Sequence, residues 1–286
     1  MKVGVVGPTG VLGRALLPLL QESGHEVRAL ALSPARVHTL FPQIRDVMQC
    51  DLLAVDVLGV SAMLRGCDAA VHIATAIPRD ATAPHAWDVN TRLRTEGTEK
   101  LLQASLKAGV SRYLQQSIVM AYPDHGDEWI TEDAPLDDSP ERAAICAPVI
   151  RMEQLVRDNP PQELAWCILR GGTFVGPHTF QEGTIEELRE GTLVVPCDGS
   201  NFNSFVHVAD MARAIVAALA SAPPGSIFNV VDEPLRQGGY LDRLAAAVGA
   251  PQPARDETLH CPPSWRCSNE AIRAALGWRP ARNLIP

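Results

Sequence analysis

Lys2-Val-Gly-Val-Val-Gly-Pro-Thr-Gly-Val-Leu-Gly-Arg14 opens the chain and decides how the rest is read. Val3, Val5 and Val6 form a β-branched run suited to a buried strand. Gly7, Gly10 and Gly13 follow at spacing G-x-x-G-x-x-G. Val11, Leu12, Ala15, Leu16, Leu19 and Leu20 then recur at helical spacing up to Gly24. The pattern is strand, glycine turn, helix. In that context the glycines have separate tasks: Gly7 allows a tight turn, Gly10 leaves the backbone open to a pyrophosphate, and Gly13 lets helix and strand pack closely. A helix N-terminus at this place offers unpaired N–H groups and positive potential to phosphate.

Further along, apolar segments alternate. Strands are predicted at Glu26–Leu32, Val47–Leu52, Ala69–Ala74, Val110–Ile118 and Leu164–Leu169, and helices over Trp87–Ala108 and near Val149–Arg157. Strands alternating with helices imply parallel strands joined by right-handed crossovers. The fold class is α/β, a doubly wound parallel sheet. Beyond Arg170 the pattern changes: the turn-rich Gly171–Pro177, a short helix at Thr184–Glu190, a strand-like Leu193–Pro196, a helix at Val206–Leu219, a strand at Ile227–Val231, and helices near Tyr240–Val248 and Asn269–Leu276. The expected organisation is a dinucleotide-binding domain over 1–175, with 205–222 packing back onto it, and a smaller C-terminal substrate lobe from 176–204 and 223–286.

Composition narrows the function. With 286 residues, 46% hydrophobic and 20% charged, the chain can bury a sizeable core. A net charge of −8 argues against nucleic acid as a partner. No apolar run has the length of a membrane span, and with the first strand at the N-terminus no signal peptide is expected. The seven cysteines are scattered without C-x-x-C pairs, which reads as reduced thiols in a cytoplasmic protein and gives no support to a metal site. The expected partners are a small-molecule substrate and a second copy of the chain, as a homodimer.

The order of landmarks resembles the extended short-chain dehydrogenase/reductase superfamily, of the NAD-dependent epimerase/dehydratase type, over almost the whole chain. The resemblance rests on Gly7–Gly13, Gly66-Cys-Asp-Ala-Ala-Val-His-Ile-Ala74, Gly97-Thr-Glu-Lys-Leu-Leu102, Gly109-Val-Ser-Arg-Tyr113, Leu169–Pro177, His207-Val-Ala-Asp210 and Leu276-Gly-Trp278. It implies a Rossmann-type sheet in which Gly7, Thr9, Gly10, Val11, Leu12 and Gly13 wrap the pyrophosphate of a nicotinamide dinucleotide. It also implies that Asp51 and Leu52 lie near the adenine and that Ala74 and Thr75 line the cofactor channel. Asp56 competes with Asp51 for that role, and a solvated strand-end carboxylate is the plain alternative. His72 reads as a packed core histidine. Asn90 and Gly97, two turns apart, share one helix face. His207 and Asp210 are expected to fix the helix they begin.

The cofactor expected is NADP, with NAD as the alternative. An NAD site usually has an acid at the end of strand two. Here the strand ends Ala31-Leu-Ser-Pro34, and Ser33 and Arg36 are placed to meet a 2′-phosphate.

One part of the resemblance fails. Hydride transfer in this superfamily usually relies on a Tyr with a Lys four residues on, the ammonium lowering the phenol's pKa. Tyr113, Tyr122 and Tyr240 are followed at that spacing by Ser117, Gly126 and Leu244, and the lysines are Lys2, Lys100 and Lys107. In the stretch Ile145–Glu153, Glu153 resembles the acid that follows the family's Lys, which puts Ile145 in the Tyr position and Val149 in the Lys position. Substitute groups are Ser117, Tyr122 and His125, with Arg151 and Arg170 as anion partners or ordinary salt-bridge residues. Three functions follow: an atypical reductase or dehydrogenase of a small carbonyl or sugar-type substrate, a non-catalytic dinucleotide-binding sensor or interaction protein, and a nucleotide-sugar epimerase/dehydratase. The last needs the missing pair.

Overall fold

The computed structural model describes residues 1–78, 80 and 83–286, and the chain divides into two compact units. The first unit comprises 1–117, 137–169 and 212–227, and the second 118–136, 170–211 and 228–286.

The main sheet has seven strands: β1 (Lys2–Val6), β2 (Glu26–Ala31), β3 (Asp46–Gln49), β4 (Ala69–His72), β5 (Arg112–Ile118), β6 (Ala165–Gly171) and β7 (Ser226–Val230). Their order is β7-β6-β5-β4-β1-β2-β3. It is a doubly wound parallel sheet flanked by helices, as expected. The register sets Val5 opposite Ala29 on one side and Val71 on the other. Val3 and Val5 are fully buried, as a strand covered on both faces requires. Because the chain runs β1, β2, β3 and then returns to β4 beside β1, the strand order reverses between β1 and β4. Ligands bind at such a reversal.

Helix α1 (Val11–Glu22) packs Leu16, Leu17 and Leu20 into the core without exposure. Next come α2 (Pro34–Leu40), α3 (Val57–Leu64) and α4 (Asp88–Arg92). A π-helical turn over Leu93–Gly97 joins α4 to α5 (Thr98–Ala108), so the predicted single helix contains an irregularity. The next helix, α6 (Ala143–Arg157), starts six residues before the predicted one and carries Pro148 inside. Proline usually marks a boundary because it lacks an N–H and crowds the preceding turn.

The second unit is built from short strand pairs, such as Thr173–Val175 with Phe205–His207 and Trp129–Ile130 with Arg266–Cys267. One small core gathers Val195, Phe205, Tyr240, Leu241 and Leu244, and another gathers Val119, Tyr122, Ile130, Val231 and Trp265. Two expectations change here. Residues 118–136 belong to this unit, not to the dinucleotide domain: the chain leaves the first unit after Ser117 and returns to it at Asp137. Cys197 and Cys261 form a disulfide with Cα atoms 5.5 Å apart, while the other five cysteines are free and buried. The all-reduced reading is corrected by two residues 64 apart, a pairing no local spacing reveals. Asp210 does more than begin a helix: its buried carboxylate accepts from the backbone N–H groups of Ala281 and Arg282 at 3.0 and 2.8 Å, which pins the C-terminal segment. Among the described residues, no helix is long and apolar enough to cross a membrane.

Candidate functional site

The glycine turn lies at the strand-order reversal of the first unit. Gly7 has φ +92°, a conformation open mainly to glycine, and a Cβ there would fall 2.6 Å from Ala74 Cα. The turn and the chain leaving β4 therefore touch through backbone, and the predicted Gly7 and Ala74 are brought together. A Cβ at Gly13 would collide with the Pro8 carbonyl oxygen. Gly10 differs: the sole neighbour its Cβ would meet is Gly7 O, at an ordinary 3.5 Å. Gly10 is also the N-cap of α1, with no side-chain cap and no acid in the first turn. Backbone donors at this end remain available to an anion. The chain thus has a cradle that a side chain would fill, and Thr9, Val11 and Leu12 complete the turn.

The rim follows the ends of neighbouring strands. Ser33 is the N-cap of α2, its hydroxyl accepting from Arg36 N at 3.3 Å. Both are exposed. Beyond β3, exposed Asp51 accepts from Leu53 N at 3.0 Å, while Asp56 is committed to capping α3 through Gly59 N at 2.7 Å. Lys100 Nζ fixes the same bend by donating to the carbonyls of Leu52 and Leu53 at 2.7 and 3.2 Å. Past β4, Thr75 is exposed and Ala76 N donates to the buried Asn90 at 3.1 Å. Asn90 therefore shapes the loop after β4, a more definite role than helix packing.

Deeper lies a polar group. Ser117, near the end of β5, has no exposure and donates to Glu153 Oε1 at 2.7 Å. Glu153 is itself fully buried on α6. Ile145 and Val149 stand one turn apart on that helix, Val149 fully buried. Arg94, on the π turn, is 5% exposed and reaches Met152 Sδ at 3.7 Å. Burial pulls its pKa down to about 10, while Glu153 pulls it back up. His72, 1% exposed at the end of β4, is pushed down to about 4 by burial and by Arg94's charge, so it is neutral at neutral pH. The sequence reading did not include Arg94. Its spacing with Asn90 and Gly97, at i, i+4 and i+7, puts it on their helical face, but an arginine there reads as a solvent-facing charge.

The remaining candidates lie in the second unit. Tyr122 is fully buried; its hydroxyl donates to Asn229 Oδ1 at 2.9 Å and accepts from Arg170 Nη1 at 2.6 Å. Burial drives its pKa well above the ordinary phenol value. A hydroxyl engaged both ways and kept from solvent holds a core together, so Tyr122 is corrected from proton donor to structural residue. Arg170, 2% exposed, belongs to the same network and is not an anion hook. His125 lies in a turn, its backbone N–H donating to Ser264 O at 3.1 Å.

The comparisons with known proteins agree with this geometry. Residues 3–230 match the NAD dependent epimerase/dehydratase family. A 3-diazoavenalumate denitrifying reductase from a Streptomyces species is 34% identical, covering 98% of this chain and 96% of its own. A 2-alkyl-3-oxoalkanoate reductase from Stenotrophomonas maltophilia is 29% identical, covering 88% of this chain and 77% of its own. Among solved structures, DesIV, a dTDP-glucose 4,6-dehydratase from Streptomyces venezuelae with NAD and TYD bound, superposes with TM-score 0.81. It covers 99% of this chain and 93% of its own at 24% identity, a likeness of fold. The glycine turn, the sheet order and these matches agree: the chain belongs to the NAD dependent epimerase/dehydratase family and is an extended short-chain dehydrogenase/reductase.

Proposed function

We propose that this enzyme is an NADP-dependent reductase that delivers hydride to an acceptor needing no proton from a tyrosine–lysine pair, and that the acceptor is an aryl diazo group. The observation that carries the reading is an open glycine turn at the uncapped start of α1, Gly7–Gly13, in a chain without any Tyr-x-x-x-Lys pair. A bound dinucleotide supplies the hydride. Gly10 leaves room for its pyrophosphate, and the first turn of α1 offers backbone donors. On α6, Ile145 and Val149 offer no proton and no charge, and Val149 is fully buried.

The acceptor's chemistry then matters. A carbonyl that takes a hydride becomes an alkoxide and requires a proton, and losing general acid catalysis costs roughly a hundredfold to ten-thousandfold. An aryl diazonium that takes a hydride in place of its nitrogen gives the arene and N₂, with charge balanced and no proton consumed. The diazo-reducing relative supports this acceptor class. Sugar-nucleotide epimerisation or dehydration fits less well, since each moves protons the chain has no such pair to move.

The test mixes the enzyme with NADPH labelled with deuterium at the transferable position and an ortho-hydroxyaryl diazonium. We expect one N₂ per dinucleotide oxidised and deuterium on the carbon that lost nitrogen; where an ortho hydroxyl is ionised the product phenoxide takes its proton from water after nitrogen has left, so no side-chain acid is needed. Reduction of β-keto acids without N₂ release would overturn the diazo reading and favour a carbonyl reductase.

Preference for NADP is supported by the absence of an acid at the end of β2 and by exposed Arg36, which makes no ion pair among the described residues. A charged hydrogen bond is worth about 1.5–3 kcal/mol, so calorimetry should find NADP bound at least about tenfold more tightly than NAD. Arg36→Ala should remove that difference. Equal affinities in the native enzyme would end the idea.

A further inference from the structure

Arg94 and His72 share an unusual condition at the carboxyl ends of the sheet strands. A guanidinium carries five N–H donors. Arg94 is 5% exposed, yet among the described residues its side chain meets one acceptor, the thioether of Met152 at 3.7 Å, and no carboxylate within ion-pair distance. Sulfur of this kind is a weak acceptor. Glu153, one residue further along α6, acts on Arg94 through its charge, and its Oε1 accepts from Ser117. His72 is 1% exposed, and neither ring nitrogen has a partner. An imidazole with both ring nitrogens buried and unpartnered is costly, and the nearly buried guanidinium beside it spends one donor on a weak acceptor and keeps its others open at its small remaining exposure. Buried polar groups left open in this way point to an acceptor that arrives from outside the chain.

Their position says where that acceptor comes from. His72 ends β4, the strand beside β1 and its glycine turn, and Ser117 lies near the end of β5, the next strand. Arg94 is carried by the π-helical turn, an irregularity often found at functional sites. The turn packs closely: a Cβ at Gly97 would come within 3.1 Å of Leu52 Cδ2. The guanidinium is therefore held on a rigid, buried mount in the unit that holds the phosphate cradle. On α6, Met152 meets the guanidinium, and Val149, one turn before Glu153, carries no charge.

We propose that Arg94 is the fixed cation of the binding site, and that its open N–H donors take an oxygen acceptor, hydroxyl or anionic, brought by the bound dinucleotide or by the substrate. It supplies from the π turn the positive charge that α6 lacks. Neutral His72 beside it keeps a second positive charge out of the same space. The proposal rests on the reading that a nicotinamide dinucleotide binds at Gly7–Gly13.

The test compares Arg94→Met, of similar length without charge, with Arg94→Lys, which keeps a charge. NADPH affinity is measured by calorimetry, and kcat/KM by N₂ release from the aryl diazonium. If the acceptor is a ribose hydroxyl, Arg94→Met weakens NADPH binding at least about tenfold. If it is a substrate oxygen, NADPH affinity holds and kcat/KM falls at least about tenfold. In either case Arg94→Lys recovers most of the loss. Folded Arg94→Met with affinity and kcat/KM both unchanged overturns the proposal, as does Arg94→Lys failing as badly as Arg94→Met. If Arg94→Met does not fold, ¹⁵N-labelled His72 in the native enzyme gives the answer: its ring resonances shift on adding NADPH or substrate, and unmoved resonances overturn the proposal. A native enzyme that binds no dinucleotide overturns the cofactor reading first. Native binding with an indifferent Arg94→Met overturns this inference alone.

Discussion

Gly10→Val lowers dinucleotide affinity at least about a hundredfold, a loss of about 2.7 kcal/mol, and leaves the protein folded. The two halves of this expectation have separate grounds. Gly10 has φ −71° and ψ 177°, extended backbone that valine adopts readily. Its Cβ would make one ordinary contact, so stability should change by no more than about 0.5 kcal/mol. The added side chain would nevertheless stand over the uncapped end of α1, in the space a pyrophosphate needs. Gly7 and Gly13 are poor sites for the same experiment, because a Cβ at either strikes backbone and unfolding would mask binding. Calorimetry of NADP and NAD together with a thermal melt decides it. Unchanged affinity in a folded variant would put the site elsewhere.

Arg170→Met should cost the second unit about 3–5 kcal/mol, because it removes one partner from a buried charged network. Arg170 Nη1 donates to Tyr122 Oη at 2.6 Å and to the Glu132 carbonyl at 3.1 Å. Tyr122 donates its own hydrogen bond to Asn229 Oδ1, and the Asn229 backbone N–H donates to Glu132 Oε1 at 2.7 Å. Trp265 Nε1 closes the cluster on the Tyr122 carbonyl at 2.9 Å. Tyr122→Phe removes one hydroxyl and should cost less, about 1–3 kcal/mol. Both are read by urea unfolding followed through tryptophan fluorescence, with turnover measured below the transition. Turnover in Tyr122→Phe should stay within about twofold of native, since a hydroxyl sealed in the core moves no proton for substrate. A loss of turnover without a loss of stability would return Tyr122 to the reaction.

The sequence was most legible where one local rule governs. A β-branched run, three spaced glycines and a helical apolar pattern place β1, the turn and α1; Gly7 and Gly13 sit in the close backbone packing read for them, and Gly10 faces open space but for one ordinary contact. It was least legible where distant segments decide. Ser117 is a strand-end hydroxyl until Glu153 arrives from another element. Tyr122 stands just beyond β5 and looks available, but a residue more than a hundred positions away accepts its hydrogen bond. Pro148 hid the first part of α6, because interior proline normally stops a helix. Arg94 was hidden by residue type: arginine in a helical pattern reads as a solvent-facing charge, and only the π turn and α6 together make it a buried one.

The chain's division has a practical meaning for anyone who would handle the cradle by itself. Residues 212–227 belong to the first unit but fall inside the loop closed by the Cys197–Cys261 disulfide, whose two ends lie in the second. A gene fragment stopped at 117 or at 175 would lack that segment, and with it the start of β7. The phosphate cradle is therefore not a portable module. A protease that nicks the chain between 197 and 261 would leave one covalent molecule on a non-reducing gel and two fragments after reduction.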